Sequence, residues 1–519
     1  MSGQKDNSTK TISIVMVITL LGKVLGLLRD RLLAVHYGTG MEANAFYTAS
    51  RIPRVFFDAV FASAIAACFI PVFSEHLTRH GKDKAMRFGG TFLTVIAVLT
   101  AALSVVGVAG SGALVRLFAD GYDAETTRLA IQLTQIMFPT VFFTGIAFSF
   151  VGILQSMDEF NIPALISTIS NLVIIGYFVL FDRRFGIFGL AVAFLLGWFL
   201  QAAIQLPALR RRGFRYYPGF DCRSEGMKKV FALMLPVMVS TWVQPINLTI
   251  NSRFGSHLYH GAGVSAIEIS TNLYLIVAGV FVLSVTNVIF PKLSRQVAQG
   301  EEDAFRGTLR DTVHSTLFFV LPMSAGLVTL ARPLVSFIYG GGQFDAFSVD
   351  ITASGLAWVS LGMVGYAVQN ILSRAYFARQ DGRTPLLAGA VSIAINLILC
   401  ILLTDRLQVA GLAIASAVSS TAYALFLLLP LERAGRVFNA RFWLDLGKML
   451  LATLLMALAV YAAARGLGAV LPAGKLGELL ILGLCAASGA IVYFAAAAVL
   501  NLPQVQPLRR LAARLLKRG

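Results

Sequence analysis

The side chains best suited to chemistry lie early in the chain. Lys23, Arg29, Asp30 and Arg31 fall in one apolar stretch, and Asn44, Arg51, Arg54 and Asp58 fall in the next. An ionisable group inside a membrane costs roughly 2.5–3.5 kcal/mol on insertion scales, so such groups face an interior cavity or a partner. At 100° per residue, Asn44, Arg51, Arg54 and Asp58 share about 80° of one helix face. Arg54 and Asp58, at i and i+4, are spaced to pair, which lowers their burial cost. Lys23 and Asp30 share a face of the preceding helix. The arrangement predicts a wet, net-positive cavity in an N-terminal bundle. It suits an anionic ligand, above all a phosphate that Arg grips through two donors at once. The competing reading is that Arg29, Asp30 and Arg31 snorkel to the membrane surface and that Lys23 is structurally paired.

A second polar set is mostly uncharged. Ser240, Gln244, Asn247 and Asn251 line one helix face, and Glu268, Thr271 and Asn272 open the next helix. Two readings stay open, hydrogen bonds between helices or a cation site in a C-terminal cleft. Enzyme signatures are missing. The six histidines show no HExxH spacing, and there is no GxxxxGK[ST] phosphate loop. Cys68, Cys222, Cys400 and Cys485 are far apart, with neither a disulfide framework nor a metal-ligand spacing. The expectation is a protein that is not an enzyme and holds no metal or cofactor.

The elements that must position these groups follow from composition. Of 519 residues, 57% are hydrophobic and only 13% charged, and the mean hydropathy is +0.75. Such a chain cannot be wrapped in a water-facing surface, so it is an all-α polytopic membrane protein. The net charge of +17 would suggest nucleic acid in a soluble chain. Here the basic residues sit in short clusters between apolar runs, the pattern of membrane orientation, and no nucleic-acid partner is expected. About 20 apolar residues cross the hydrocarbon. By that measure about fourteen spans are predicted: 11–36, 43–75, 88–112, 128–156, 162–182, 185–207, 228–256, 264–292, 311–332, 350–378, 384–404, 408–431, 443–465 and 476–500. The first is read as a retained helix, because no small-residue cleavage site follows it. About 27 Lys and Arg fall on the side of the termini and about seven in the opposite loops, so both termini are expected in the cytoplasm. Met157–Asn161, acidic on the predicted inside, is the exception.

An internal repeat organises the spans. Ile70-Pro71-Val72-Phe73-Ser74 returns as Phe290-Pro291-Lys292-Leu293-Ser294, and Gly189-Leu190-Ala191-Val192-Ala193 returns as Gly411-Leu412-Ala413-Ile414-Ala415. Pro163 matches Pro385, and Pro207 matches Pro430. The predicted organisation is a six-helix bundle over 1–210, a cytoplasmic linker over 211–227, a second six-helix bundle over 228–432, and two further helices with a basic tail over 433–519. Each repeat has an even number of helices, so the bundles insert in one sense and are related by an axis along the membrane normal. That is transporter architecture.

Several segments carry a family likeness. Lys23-Val24-Leu25-Gly26-Leu27-Leu28-Arg29-Asp30, Tyr37-Gly38, Asn44-Ala45-Phe46, Arg51-Ile52-Pro53, Phe69-Ile70-Pro71-Val72-Phe73 and Ala378-Arg379-Gln380-Asp381-Gly382-Arg383-Thr384-Pro385 resemble the MurJ/MviN family of lipid II flippases, within the MOP superfamily. The resemblance implies alternating-access transfer of the undecaprenyl-pyrophosphate-linked peptidoglycan precursor from the inner to the outer leaflet of the bacterial cytoplasmic (inner) membrane. It implies lipid II or a related polyprenyl-pyrophosphate lipid as partner, with cell-wall synthesis enzymes as further partners. It places family arginines at Lys23 and Arg29, a family Asp at Asn44, and a family Arg of the eighth helix at Asn272. The family's arginine pair in the second helix is Phe57-Asp58 here, and its Glu-Gly is Ala62-Ser63. Arg51 and Arg54 are expected to take over phosphate binding from shifted positions. The terminal helices, about 443–465 and 476–500, correspond to the pair that forms a groove for the lipid tail. Coupling is left open among membrane potential, a proton and sodium. The alternatives are export of another lipid-linked saccharide or amphiphile, and a non-transporting scaffold for cell-wall synthesis.

The charge asymmetry yields a direct test. Reporter fusions after Gly519 and within 210–229 are expected to read cytoplasmic, and one within 257–263 external; an external signal at the C-terminus would overturn the topology.

Overall fold

The computed structural model describes residues 2–57, 65–435, 437–472 and 474–505. Among these residues the fold is all helix; the one β contact is an isolated bridge between Gly341 and Phe344. The chain runs α1 Ser2–Tyr37, α2 Met41–Phe57, α3 Ile70–Glu75, α4 Lys82–Ala109, α5 Ser111–Phe118, α6 Ala124–Met137, α7 Thr140–Ser156, α8 Asn161–Leu180, α9 Asp182–Ala203, α10 Leu206–Arg211, α11 Glu225–Thr241 and α12 Val243–Ser256. It continues through α13 Ala262–Ala298, α14 Glu302–Thr329, α15 Ala331–Tyr339, α16 Ala346–Leu361, α17 Met363–Ala378, α18 Arg383–Gly435, α19 Ala440–Val470 and α20 Lys475–Val499, and ends in a short 3₁₀ turn, Pro503–Val505.

Among the described residues nine helices are long and apolar enough to cross a membrane, or ten when the bent pair Ala346–Leu361 and Met363–Ala378 counts as one span. The helix α18 holds two of the expected spans. Its 53 residues would extend about 80 Å if straight. It breaks at Gln408, whose φ of 55° and ψ of −133° leave helical space. The expected spans 11–36, 43–75 and 228–256 are helical where described, yet fall outside that length-and-apolarity criterion.

The repeat seen in the sequence reappears in the backbone. Asp158 and Gln380, with φ of 58° and 59°, end α7 and α17. Gly186 (φ 50°, ψ −147°) breaks α9 as Gln408 breaks α18, each three residues before the repeated Gly189 and Gly411. Asp123 caps α6 by accepting from Thr126 N, and Asp345 caps α16 by accepting from Ser348 N. These pairs lie at one common sequence offset. Local geometry and sequence therefore report the same duplication.

By packing, the chain divides into two compact units, Met1–Ser265 and Ala266–Gly519. Helices α11 and α12 thus pack with the first unit. Its core holds a run of rings, Phe69, Phe73, Phe88 and Phe92, with Phe69 stacked on Phe92 at 4.1 Å. In the second unit α19 and α20 bury Met449, Ala452 and Cys485 in a core shared with Phe305, Leu309 and Phe318 of α14. Tyr493 donates to the Phe318 carbonyl at 2.6 Å. Large apolar side chains also cover the outside: Val179, Leu180, Val288, Leu444, Leu476 and Ile491 are all more than two-thirds exposed. A solvent-facing surface would not carry them, whereas hydrocarbon accepts them.

Small residues set the helix spacing inside the second unit. A Cβ on Gly365 would lie 2.7 Å from the Thr421 backbone, and one on Gly362 would lie 2.6 Å from Ala417 Cα. Backbone cannot swing aside as a side chain can, so α17 and α18 can approach this closely only through glycine. Gly365→Ala is expected to destabilise by about 1–3 kcal/mol through overpacking, while Gly447→Ala, with open space around it, is neutral or stabilising; thermal unfolding of the purified proteins distinguishes them.

Candidate functional site

Three polar clusters lie in the first unit. The first joins α1 to α8. Arg29 donates through Nε and Nη2 to Asp30 Oδ1, at 2.9 and 2.7 Å, and through Nη1 to Asn171 Oδ1 at 3.0 Å. Asn171 Nδ2 in turn donates to the Gly22 carbonyl at 3.0 Å. Neighbouring residues point about 100° apart on a helix, yet the long Arg29 side chain curls back far enough to grip Asp30. Gly22 and Gly26 make room for α8, since a Cβ on Gly22 would already crowd Ser167 and Thr168. The Arg29 side chain stays 31% exposed. It is held in place without being sealed off. Asp30 is bound by Arg29 and does not meet Lys23, which is exposed and has no polar partner among the described residues.

The second cluster binds α2 to the segment 243–265. Arg51 is 6% exposed and donates through Nη1 to the Leu248 carbonyl at 3.0 Å. Asn44, 1% exposed, donates to the Thr39 carbonyl at 2.9 Å, and its Oδ1 accepts from the Ser265 amide and hydroxyl. Tyr122 shares a hydrogen bond with the Thr48 hydroxyl at 2.7 Å and donates to the Asn44 carbonyl at 3.0 Å. The predicted stripe therefore divides. Asn44 and Arg51, two turns apart, are both buried against protein, whereas Arg54, some 60° further round, is exposed. Asp58 lies outside the described residues.

The third cluster continues the second at the loop between α5 and α6. Asp120 accepts from Arg253 Nη2 at 2.5 Å and lies 3.0 Å from His257 Nε2. The Gly121 amide donates to Ser256 Oγ at 3.0 Å. A Cβ on Gly121 would fall 2.6 Å from the His257 backbone nitrogen, so glycine is needed for this approach. Burial raises the Asp120 carboxyl, but hydrogen bonds from Arg253 and His257 outweigh it and leave the group below its ordinary range. The two clusters together latch α2 and the 119–123 loop to residues 248–265, on the side that the charge pattern predicts to be external.

The second polar set divides between the two units. Gln244 is exposed, Asn251 is buried, and Asn247 is half-buried with an Oδ1 that makes no hydrogen bond among the described residues. These three belong to the first unit, in the helix that covers Arg51. Glu268 (6% exposed) and the half-buried Asn272 belong to the second. Asn171, Asp120, Tyr122, Arg253, His257 and Ser265 were not singled out by sequence. A lone Asn inside the apolar run of α8 was the available signal for Asn171; nothing in sequence pairs Asp120 with Arg253 across so long a separation. The Arg-Gln-Asp loop proves to be an N-cap: Asp381 accepts from the Arg383 and Thr384 amides at 2.9 and 3.1 Å and from Thr384 Oγ1 at 2.6 Å. Arg379 stacks over Phe305 at 4.5 Å and pairs with Glu302.

A chain that is helical throughout its described elements, with apolar outer faces and a duplicated helix pattern, has the build of a multi-pass membrane transporter. Solved structures agree on the fold. An inward-facing multidrug-resistance MATE transporter of the MOP superfamily superposes with a TM-score of 0.66 at 14% identity, over 82% of this chain and 98% of that one. A lipid II flippase MurJ in an inward closed conformation does so with a TM-score of 0.79 at 24% identity, over 95% of this chain and 99% of that one. A family model described as lipid II flippase MurJ matches residues 33–473. The lipid II flippase MurJ of Burkholderia cenocepacia is 29% identical over 451 residues, 84% of this chain and 86% of that protein. The probable lipid II flippase MurJ of Rhizobium meliloti is 29% identical over 510 residues, 95% and 94% of the two chains. The chain belongs to the lipid II flippase MurJ family, a family of transporters and not of enzymes.

The latch carries its own prediction. A carboxylate held below its unfolded value contributes stability above the ordinary carboxylate range, near pH 4, and loses it as the pH falls. Asp120→Asn imitates that loss at neutral pH. It is expected to raise several-fold the labelling of a cysteine placed at the buried Val264 by an impermeant thiol reagent; unchanged labelling would show that Asp120 does not hold the segment closed.

Proposed function

We propose that this chain translocates lipid II, the undecaprenyl-pyrophosphate-linked peptidoglycan precursor, from the inner to the outer leaflet of the bacterial cytoplasmic membrane by alternating access, with both termini in the cytoplasm. The observation that carries the reading is the family match over residues 33–473, on a chain whose opening helix keeps Arg29 anchored yet partly exposed. The head group is large, polar and anionic. Crossing unaided would strip its hydration at prohibitive cost, and a wet cationic cavity replaces that hydration with charge-assisted hydrogen bonds. Among the described cations of the first two helices, Lys23, Arg31 and Arg54 are exposed and Arg29 is partly so. Arg51, covered by the Leu248 segment, becomes available only when that segment parts from α2. A flippase must release what it binds, and a few mobile cations serve that need better than a closed cage.

Outward movement of a pyrophosphate carries negative charge from a negative interior to a positive exterior. The membrane potential therefore favours it by about 2.3 kcal/mol per charge per 100 mV, which makes the potential the simplest driving force, ahead of a proton or sodium gradient. The apolar pair α19 and α20 suits the polyprenyl tail, which never needs to leave hydrocarbon. The natural recipients on the outer side are cell-wall synthesis enzymes.

Rescue of cells depleted of their own lipid II flippase tests the assignment. The parent chain is expected to restore growth, and Arg29→Glu to abolish outer-leaflet appearance of labelled lipid II while the protein remains in the membrane. Failure of the correctly inserted parent to rescue would favour export of another lipid-linked saccharide, or a scaffold role.

A further inference from the structure

One stretch of the first unit has an outer face that the site residues do not explain: the connection 212–224 between α10 and α11. It is strapped along α4. Lys82 Nζ donates to the Arg212 carbonyl at 3.3 Å, Arg87 stacks over the Tyr217 ring at 5.3 Å, and Tyr216 shares a hydrogen bond with the Thr94 hydroxyl at 2.8 Å. A Cβ on Gly90 would run into the Tyr217 carbonyl, and one on Gly219 would lie 2.8 Å from Thr91 Oγ1, so the strap rests directly on the helix. Arg87, Thr94, Val98 and Val105 fall within about 40° of one face of α4. Val98 and Val105 are exposed. An exposed apolar face of a spanning helix meets hydrocarbon, so the strap lies on the lipid side of the bundle. Arg87 is the last charge of α4, and Thr94 stands about 10 Å further along the axis. The strap therefore sits where head groups give way to acyl chains.

Its outward side combines two kinds of group. Tyr216 and Phe220 are 51% and 65% exposed. Arg210, Arg211, Arg215 and Arg223 are exposed as well, and none of their guanidinium groups makes an ion pair or hydrogen bond among the described residues. By contrast, Arg212 pairs with Glu159 and Lys229 with Glu75. The two exposed acids of the stretch, Asp221 and Glu225, leave the four arginines in excess. The backbone amides of Arg215, Tyr216 and Tyr217 also make no hydrogen bond among the described residues. At this depth such donors must find water or a head-group oxygen.

We propose that this outward face docks on the head groups of anionic phospholipids, with Arg210, Arg211, Arg215 and Arg223 on the phosphates and the rings of Tyr216 and Phe220 seated between them at the edge of the hydrocarbon. Guanidinium grips a phosphate through two donors at once, and aromatic rings settle at this level of a bilayer. A zwitterionic head group carries its own ammonium beside its phosphate and so answers the four arginines less well than a net-negative one. The charge pattern predicts this side to be cytoplasmic, where basic segments beside a membrane meet anionic lipids. The proposal needs only a chain that spans a membrane and does not rest on the flippase reading.

The test uses the full chain in lipid nanodiscs whose two leaflets have the same composition, so sidedness does not enter. A spin label on Pro218→Cys, in a background freed of the native cysteines, reports immersion through its collisions with a neutral aqueous paramagnetic reagent. Replacing phosphatidylcholine by a mixture with phosphatidylglycerol is expected to lower the collision rate several-fold, and high salt to restore it by screening. Changing the four arginines together to glutamine should abolish the dependence on lipid. Should that variant not insert, the salt titration of the parent chain decides alone. Equal collision rates in the two lipids overturn the proposal, as does a lipid dependence that survives the four substitutions or high salt. It is overturned too if inorganic phosphate produces the same fall in phosphatidylcholine alone, which would mark a site for free anions.

Discussion

Hydrocarbon offers no hydrogen bonds, and that constraint shapes every polar contact in this protein. A donor or acceptor facing lipid keeps its full desolvation cost, so polar groups within the spans must be satisfied by other parts of the chain. Arg51 illustrates the result: a guanidinium 6% exposed, anchored on the Leu248 carbonyl from a distant helix. Asn44, Tyr122 and Ser265 close a ring of contacts for the same reason. Each such bond ties two helices at a definite register, which the surrounding Leu and Val contacts could not do alone.

Those ties are reversible in a way that apolar packing is not. Breaking the Asp120 contacts with Arg253 and His257 exposes groups that water can solvate at the membrane surface, whereas parting Arg51 from Leu248 requires a wet cavity or an anion to replace the lost bond. Outer polar contacts can therefore open at modest cost, whereas the inner arginine holds its contact until another acceptor replaces the Leu248 carbonyl.

Glycine supplies the complementary rigidity. Gly22 beside α8, Gly121 against His257, and Gly362 and Gly365 against α18 all mark places where backbones or polar groups meet at distances that a Cβ would prevent. The positive-φ breaks at Gly186 and Gln408 stand at equivalent points of the two repeats, and the one at Gln408 folds the 53-residue α18 back on itself, so that Ser392 donates to the Ser419 carbonyl. The same position takes glycine in one repeat and glutamine in the other, so this turn accepts a strained side chain when the flanking helices hold it.

The sequence by itself determined the class of fold and the family, and it showed the repeat. Hydropathy and periodicity are local properties, and the Arg-Gln-Asp loop and the opening helix motif are contiguous in the chain. It also drew attention to α1 and α2, where its candidate cations cluster. Only the tertiary structure decided what each charge there does. Helical periodicity ranks residues by direction but says nothing of what lies opposite, so Asn44, Arg51 and Arg54 looked alike until α12 and the 119–123 loop were seen to cover the first two and leave the third open. The Arg29 to Asn171, Asp120 to Arg253 and Thr94 to Tyr216 pairings join residues more than a hundred positions apart. Pairing across such separations depends on how helices stack, and that is settled by the whole packing and not by any stretch of sequence.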